Sequence, residues 1–257
     1  MEERKLALLA SPTEAAQEAA KRLRSAVPFV PLNEADAVIA LGGDGYMLQT
    51  LHAMLENHRI LPVFGMNLGT VGFLMNEWRL DGLESRLARA KTFKVNPLRM
   101  QAMTVSGEQV TLPAINEVSL LRETRQTAWL EVSVDNRVVI PELVCDGALV
   151  ATPAGSTAYN LSANGPILPL GCGLVALTPI SPFRPRRWRG AILPERTKVK
   201  LRVVDPVKRP VSAVADQREV RDVASVEIGI DQAMPLTLLF DPGHTLDDRI
   251  AAEQFIA

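Results

Sequence analysis

The feature that most constrains this chain is the stretch over residues 37–55, where an apolar run leads through glycines into a helical pattern. Residues 37–41 are all apolar and include two β-branched side chains, which predicts a short buried strand. Gly-Gly-Asp-Gly follows at residues 42–45, and apolar residues then recur at helical spacing. In such a unit, free backbone N–H groups and the positive end of a helix face outward, so we expect a phosphate-binding turn of an α/β protein.

Asp44 lies inside this turn, where a carboxylate repels phosphate unless it has a chemical role. It could hold Mg²⁺ or take the proton of an attacking hydroxyl. The alternative is that Asp44 only caps the helix, because Asp is a favoured N-cap residue. The turn itself does not identify a nucleotide, since it has neither the dinucleotide fingerprint Gly-x-Gly-x-x-Gly nor the P-loop Gly-Lys-Ser/Thr.

Composition places the chain among ordinary globular proteins, with 257 residues, 47% hydrophobic and 22% charged. A net charge of −1 argues against broad nucleic-acid binding. No apolar run is long enough to cross a bilayer, and no signal peptide precedes the strand-like residues 6–10, so a cytoplasmic location is expected. The two cysteines and three histidines show no metal-ligand spacing, so we expect no metal site made by side chains.

The secondary-structure signals of the sequence change near residue 98. Before it, strand and helix signals alternate, and the strands are predicted at residues 6–10, 37–41 and 60–65, the helices at 13–25, 46–56 and 80–90. After it, short alternating runs predict strands at residues 101–106, 128–135, 137–140, 147–151, 199–204, 211–214 and 226–230. Residues 135–136 between two runs read as a hairpin turn. A capping-box pattern at 245–248 precedes a final helix.

The predicted fold is therefore an α/β N-terminal Rossmann-like domain followed by an all-β, sandwich-like C-terminal domain. We expect the first domain over residues 1–97, the second over residues 98–240, and residues 241–257 returning to pack on the first domain.

Three further places carry candidate site residues. Phe73 follows a second glycine-rich turn and could lie against a base or simply seal the turn. Asn116 and Glu117 form an amide–carboxylate pair suited to ribose hydroxyls, or else an exposed polar pair at a strand end. Residues 152–166 are rich in small, hydroxyl and turn-forming residues and could wrap a polar ligand, although a structural loop of this composition is possible.

Taken in order, these motifs resemble the NAD kinase family. The resemblance rests on Gly-Gly-Asp-Gly at 42–45, Asn-Glu at 116–117, Asp-Gly at 146–147, Thr-Pro-Ala-Gly-Ser-Thr-Ala-Tyr-Asn at 152–160, residues 67–74 and Asp-Pro-Gly-His at 241–244. It spans nearly the whole chain, and the long Ser/Thr/Gly segment is its most specific part. The glycine turn alone is shared with lipid kinases of the diacylglycerol type and with phosphofructokinases.

The resemblance implies an enzyme that transfers the γ-phosphoryl group of ATP to the 2′-hydroxyl of the adenosine ribose of NAD, with Mg²⁺ bridging phosphate oxygens. It makes Asp44 the general base, and Asn116 and Glu117 the groups that hold the ribose. The other substrate-binding candidates that it implies are Gly45, Phe73, Asp146, Ala154, Thr157, Ala158, Tyr159, Asn160, Ser162 and Asp216. It also implies a homodimer or homotetramer in which neighbouring subunits share a site.

The chain departs from the family's pattern at three places. Tyr46 follows the glycine turn where Thr or Asn is usual, Val144 and Cys145 precede Asp146 where more polar residues are usual, and Gln217 replaces a glycine. Two other functions stay open on the residues alone: a lipid or sugar kinase that shares the turn, and a non-catalytic sensor of NAD(P). The first leaves residues 152–166 unexplained, and the second leaves Asp44 without a task.

Overall fold

The computed structural model describes residues 4–69 and 72–242. The α-helices there are α1 Glu14–Ala26, α2 Asp44–Glu56, α3 Leu83–Arg89 and α4 Tyr159–Ser162. The strands are β1 Leu6–Ala10, β2 Ala37–Gly42, β3 Val63–Asn67, β4 Asn76–Glu77, β5 Lys91–Val95, β6 Leu98–Thr104, β7 Gln109–Ala114, β8 Glu117–Arg122, β9 Ala128–Val134, β10 Arg137–Cys145, β11 Gly147–Ala151, β12 Leu174–Ile180, β13 Ala191–Pro194, β14 Val199–Val203, β15 Val211–Ala215, β16 Arg218–Val220, β17 Val223–Ile230 and β18 Leu236–Phe240.

The chain forms two compact units, one comprising residues 1–95 and 234–257 and the other residues 96–233. In the first unit, β1, β2 and β3 pair in parallel, and β18 lies between β3 and β5. All six residues of β2 are buried, as expected of a parallel strand covered on both faces. Helix α1 packs its buried alanines and Leu23 on this sheet, and Thr13 caps its start by accepting from the backbone N–H of Ala16.

The strand β18 is tied into the first unit by a buried amide. Asn76 donates from Nδ2 to the carbonyl oxygens of Gly65 (3.0 Å) and Leu239 (2.9 Å). Its Oδ1 accepts from the backbone N–H of Asp241 at 2.8 Å. Arg86 then donates from Nε to the Asp241 carboxylate at 3.0 Å. The carboxyl-terminal end of β18 is therefore fixed to β3, β4 and α3.

The second unit is built from two antiparallel sheets of six strands each. Their orders are β10-β9-β14-β17-β6-β7 and β13-β12-β11-β8-β15-β16. One apolar cluster takes residues from both sheets, among them Val132 and Leu201 from the first and Val118 and Val150 from the second. The two inner faces therefore share one core, which confirms the predicted all-β sandwich.

Several local predictions are confirmed by these elements. The hairpin between β9 and β10 turns at Asp135 and Asn136, with φ of 47° and 64°, as a tight hairpin turn requires. Helix α2 begins two residues before the predicted start, at Asp44 rather than Tyr46. The predicted capping box and final helix over residues 245–256 lie outside the described residues.

The structure divides the chain differently from the sequence interpretation at the second boundary. Residues 236–240 were expected in the β-rich domain, but they form β18 in the sheet of the first unit. The second unit starts at residue 96 rather than 98 and ends at 233 rather than 240. The reason is that Leu236–Phe240 has the same apolar pattern in either sheet, and periodicity does not say which sheet a strand joins.

Candidate active site

The strand–turn–helix unit of the first unit is formed by β2 and α2. Gly43 is the N-cap residue, with extended φ and ψ of −120° and −174°, and Asp44 is the first helical residue. A Cβ on Gly42 would lie 2.8 Å from the Cβ of Tyr46, so the Tyr46 side chain packs closely over a position that only glycine allows. Burial raises the pKa of Tyr46. The phenol at this unusual position therefore serves as packing for the turn.

The Asp44 carboxylate is held by two backbone amides of another loop. Oδ2 accepts from the backbone N–H of Phe73 at 2.7 Å, and Oδ1 accepts from that of Leu74 at 2.9 Å. Gly72 leaves the space that this carboxylate occupies, since a Cβ on residue 72 would lie 2.5 Å from Asp44 Oδ1. The helix is capped by Gly43, without a side-chain hydrogen bond. The alternative that Asp44 acts as the N-cap is therefore wrong, and its carboxylate is oriented by the amides of Phe73 and Leu74.

Two other predicted residues lie in the same unit. Phe73 is half-buried, and its backbone N–H is used to orient Asp44. Gly45 is exposed at the start of α2, with nothing within 4 Å of the place where a Cβ would stand. The structure thus brings Asp44 and Phe73 together directly and places Gly45 on the open side of the turn.

In the second unit, Asn116 and Glu117 stand where β8 begins. Glu117 is only 9% exposed, and its Oε2 has no hydrogen-bond partner in the described structure. Asn116 Oδ1 is likewise buried and without a partner there. Burial, followed by the charge of Asp216, raises the pKa of Glu117 to about 7, and a hydrogen bond from the backbone of Tyr159 opposes the shift. Two buried acceptor atoms are therefore open to donors that the described residues do not supply.

The carboxylate of Asp216, which the resemblance places in the site, accepts hydrogen bonds from the backbone of residues 115–117. Its Oδ2 accepts from the N–H of Ile115 at 2.6 Å, and its Oδ1 accepts from those of Asn116 at 2.9 Å and Glu117 at 3.2 Å. Asp216 itself has φ of 53°, in the left-handed region. The carboxylate therefore binds three successive amides of the candidate ribose-binding segment.

Residues 152–166 fold into a compact loop built on buried polar side chains. Asn160 is fully buried; its Nδ2 donates to the carbonyls of Ser156 (3.2 Å) and Pro166 (2.8 Å), and its Oδ1 accepts from the Thr178 hydroxyl at 2.7 Å. A Cβ on Gly165 would lie 2.1 Å from Asn160 Oδ1. The Asn160 side chain is thus occupied within the protein, and this geometry supports a role in shaping the loop rather than in touching a ligand.

Tyr159 packs against β11 in a small apolar cluster with Leu149 and Ala151. Burial raises the pKa of its phenol, and the charges of Glu117 and Asp146 add to the shift. Asp146 precedes β11, whereas residue 151 at the other end of that strand pairs with Glu117. Asp146 lies five residues from the strand partner of Glu117, which is about 16 Å along β11 at the usual rise per residue. The structure therefore does not bring Asp146 beside the Asn116–Glu117 pair.

Asp146 instead meets Arg122, a residue that the sequence interpretation did not select. Arg122 Nε donates to Asp146 Oδ1 at 2.6 Å, and Arg122 Nη1 donates to the carbonyl of Thr124. Both side chains are about one-third exposed or more, so this ion pair lies at the surface of the unit. No motif or spacing marks Arg122, and only the pairing of β8 with β11 brings it to Asp146.

The remaining candidates line the loop at different depths. Ala154 is buried, Thr157 and Ala158 are half-buried, and Ser162 is exposed at the end of α4. Among residues that the interpretation passed over, Thr152 is fully buried and bonds the Asn116 segment through both its backbone and its hydroxyl. Its signal in the sequence is only that it opens the Thr-Pro-Ala-Gly-Ser motif.

The residues that the structure describes bear on side-chain metal binding and, through the buried Cys145, on thiol reactivity. They contain no group of three or more His, Cys, Asp or Glu side chains placed to hold a metal ion. Cys145 is buried, and burial raises its pKa to about 12, which makes it inert. Within the described residues, no helix has both the length and the apolar character that crossing a membrane requires.

Comparison with known proteins relates both units to one family. Residues 1–89 match the model of the ATP-NAD kinase N-terminal domain, and residues 115–233 match that of the C-terminal domain. A protein named NAD kinase from Rhizorhabdus wittichii is 69% identical over 255 residues, covering 99% of both chains. NAD kinase from Zymomonas mobilis is 68% identical over 251 residues, covering 98% of this chain and 97% of that protein.

Two solved structures share the fold at low sequence identity. Yeast NADH kinase, crystallised with NADH, aligns with a TM-score of 0.82 and 21% identity, over 97% of this chain and 86% of that one. An NAD kinase from Archaeoglobus fulgidus, in complex with ATP, aligns with a TM-score of 0.77 and 22% identity, over 98% and 100%. With both family models matched and relatives similar over almost the full length, the chain belongs to the ATP-NAD kinase family.

Proposed function

We propose that this protein transfers the γ-phosphoryl group of ATP to the 2′-hydroxyl of the adenosine ribose of NAD, forming NADP, with Asp44 as general base. The observation that carries the proposal is the position of the Asp44 carboxylate, which the backbone amides of Phe73 and Leu74 fix at a glycine turn. Names of relatives add support, since proteins up to 69% identical are called NAD kinase.

The chemical task of Asp44 follows from the weakness of the nucleophile. A secondary alcohol attacks phosphorus poorly at neutral pH, and a carboxylate that takes its proton as the P–O bond forms contributes roughly 10²–10⁴-fold. Two amide hydrogen bonds fix the direction of the carboxylate, while each oxygen keeps lone pairs for a proton. Selectivity for the 2′- over the 3′-hydroxyl then depends on which of the two faces Asp44.

The ribose itself would be recognised by the Asn116–Glu117 pair. Both side chains present a buried acceptor oxygen that lacks a partner among the described residues. Leaving such atoms unpaired costs free energy, about 1–3 kcal/mol each, which two ribose hydroxyl donors would recover on binding. This pairing supports a ribose as the ligand of the second unit.

The phosphoryl donor would be bound at the glycine turn. The N-terminus of α2, a helix of 13 residues, offers an electropositive end to phosphate oxygens, and Gly45 leaves the approach open. Mg²⁺ would enter with ATP as part of the substrate, since this ion commonly binds phosphate oxygens and waters rather than a protein cage. It would offset the charge that develops on the transferred group.

The lipid or sugar kinase and the NAD(P) sensor are less well supported. The glycine turn is the only motif that the former shares, whereas both family models and the relatives match outside it as well. The sensor leaves the ordered carboxylate of Asp44 without a function. As the resemblance implies, we also propose a homodimer or homotetramer with a shared site, which light scattering of the purified protein would test.

The experiment is a panel of donors and acceptors. Purified protein is incubated with Mg²⁺ and ATP or polyphosphate, and with NAD, NADH, diacylglycerol or a hexose as acceptor; NADP is measured with an NADP-specific dehydrogenase. The proposal expects NADP from ATP and NAD. Phosphorylation of the lipid or the sugar, with no NADP formed from any donor, would overturn it.

A further inference from the structure

The backbone of residues 115–117 is bound almost entirely by two residues that lie far from it in sequence. Its three N–H groups donate to the Asp216 carboxylate at 2.6, 2.9 and 3.2 Å. On the acceptor side, the Thr152 hydroxyl donates to the Ile115 carbonyl at 2.7 Å, and the Thr152 N–H donates to that of Asn116 at 2.9 Å. The Asp216 N–H closes the set by donating to the Glu117 carbonyl at 3.1 Å.

We propose that Asp216 is a positioning residue, which fixes the Asn116–Glu117 turn through its backbone instead of contacting the dinucleotide. This role differs from the substrate contact implied by family resemblance, and it rests on the proposed function. Successive N–H groups that converge on one carboxylate form an anion nest, and here the anion belongs to the protein. With the backbone satisfied in this way, the side chains of Asn116 and Glu117 remain available for a ligand.

The conformation of Asp216 is consistent with this role. It follows β15 and, with Gln217, forms a two-residue connection to β16, at φ of 53°. Glycine would adopt this φ at lower cost, and Asp is among the few side chains that tolerate it. Glycine, however, would leave the three amides of residues 115–117 without an acceptor. A carboxylate at a φ that glycine would adopt at lower cost agrees with a need for its oxygens.

The charge of Asp216 gives the residue a second effect. Asp216 lies against Glu117. Burial is the main cause that raises the pKa of Glu117 to about 7, and the negative charge of Asp216 is the second cause. Among the described residues, the phenol of Tyr159 also lies near Glu117, whereas Asp146, which acts on that phenol, is paired with Arg122 at the far end of β11. Asp216 therefore affects both the geometry of the turn and the pH above which Glu117 becomes a full acceptor for ribose hydroxyls.

These two effects are separated by two variants of the full-length protein. In Asp216→Asn, the amide nitrogen cannot accept an N–H, so at least one backbone donor loses its partner, and the negative charge is removed. NAD affinity by calorimetry at pH 8 is expected to fall about tenfold. The acidic limb of kcat/KM for NAD, which reports groups of the free enzyme, is expected to move to lower pH.

In Thr152→Val, the hydroxyl that holds the Ile115 carbonyl is lost, while Asp216 keeps its charge. This variant is expected to weaken NAD binding with the acidic limb unmoved. Asp135→Asn is the matched control, because Asp135 also has a left-handed φ, of 47°, and accepts one backbone N–H, from Lys198 at 2.9 Å. It should bind NAD as the wild type does, with the same limb.

The outcomes are distinct. If Thr152→Val binds NAD normally while Asp216→Asn does not, Asp216 contacts the ligand and the positioning role is overturned. Normal affinity and an unmoved limb in Asp216→Asn, with native circular dichroism, overturn it as well. Should Asp216→Asn fail to fold, weakened binding in Thr152→Val, with an unmoved limb, supports the positioning role, and normal binding opposes it. Absence of NADP formation by the wild type defeats the proposed function instead. Calorimetry of NAD binding by the variants then still tests whether Asp216 positions the Asn116–Glu117 turn.

Discussion

Gly72→Ala tests whether the position of the Asp44 carboxylate controls the reaction. A Cβ at residue 72 would stand 2.5 Å from Asp44 Oδ1 and 3.1 Å from its Cγ. Ordinary contact begins near 3.4 Å, so the carboxylate must move by about 1 Å. That shift stretches the bonds from Phe73 and Leu74, now 2.7 and 2.9 Å. A misplacement of this size costs about 10²-fold in rate, equivalent to about 2.7 kcal/mol.

The assay is steady-state formation of NADP from ATP and NAD, with thermal unfolding measured on the same samples. We expect kcat to fall about 10²-fold. The free energy of unfolding should change by no more than about 2 kcal/mol, because alanine lowers the entropy of the unfolded chain and so partly offsets the weakened hydrogen bonds. Gly69→Ala is the matched control from the same loop, because nothing lies within 4 Å of its added Cβ. Equal losses in the two variants, or an unchanged kcat in Gly72→Ala, would refute the reasoning.

Two further predictions concern stability. Asn76→Ala removes the side-chain partner of three backbone groups, two of them in buried hydrogen bonds, and should lower the free energy of unfolding in urea by about 2–4 kcal/mol. Asn57→Ala, at an exposed site with one hydrogen bond, should lose less than about 1 kcal/mol, and equal losses would contradict the account. Because Glu117 has a pKa raised from 4.5 to about 7, the folded state binds more protons between these values, and stability falls as pH rises through 7. Glu117→Gln should therefore melt above the wild type at pH 8 but not at pH 4, and a constant difference between the two pH values would oppose this.

The sequence predicted the strand–turn–helix unit at residues 37–56 and the sandwich because both depend on local patterns. Buried β2 is an uninterrupted apolar run, and the β9–β10 hairpin is marked by Asp135 and Asn136. The sheet that β18 joins was not predictable from pattern, because Leu236–Phe240 would suit either sheet. Its place depends on Asn76, a buried amide whose three partners come from distant parts of the chain.

In the candidate site, too, local features were predictable from the sequence and tertiary contacts were not. The chemistry of Asp44 could be inferred from its residue type and its turn, but its amide donors come from Phe73 and Leu74, about thirty residues away. Arg122 was missed because no motif marks it, and the pairing of β8 with β11 brings it to Asp146. Thr152 was missed because its place in a motif does not reveal that its hydroxyl bonds the Ile115 carbonyl. Residue type can suggest which groups do chemistry, whereas the groups that orient them depend on tertiary structure.

Asp44→Asn provides the most direct test of the central claim that this carboxylate removes the proton from the ribose hydroxyl. Turnover to NADP and calorimetric NAD affinity are measured on the same preparation. We predict that kcat falls by roughly 10²–10⁴-fold while the dissociation constant for NAD changes less than about threefold. A variant that forms NADP at a rate near that of the wild type would contradict the claim.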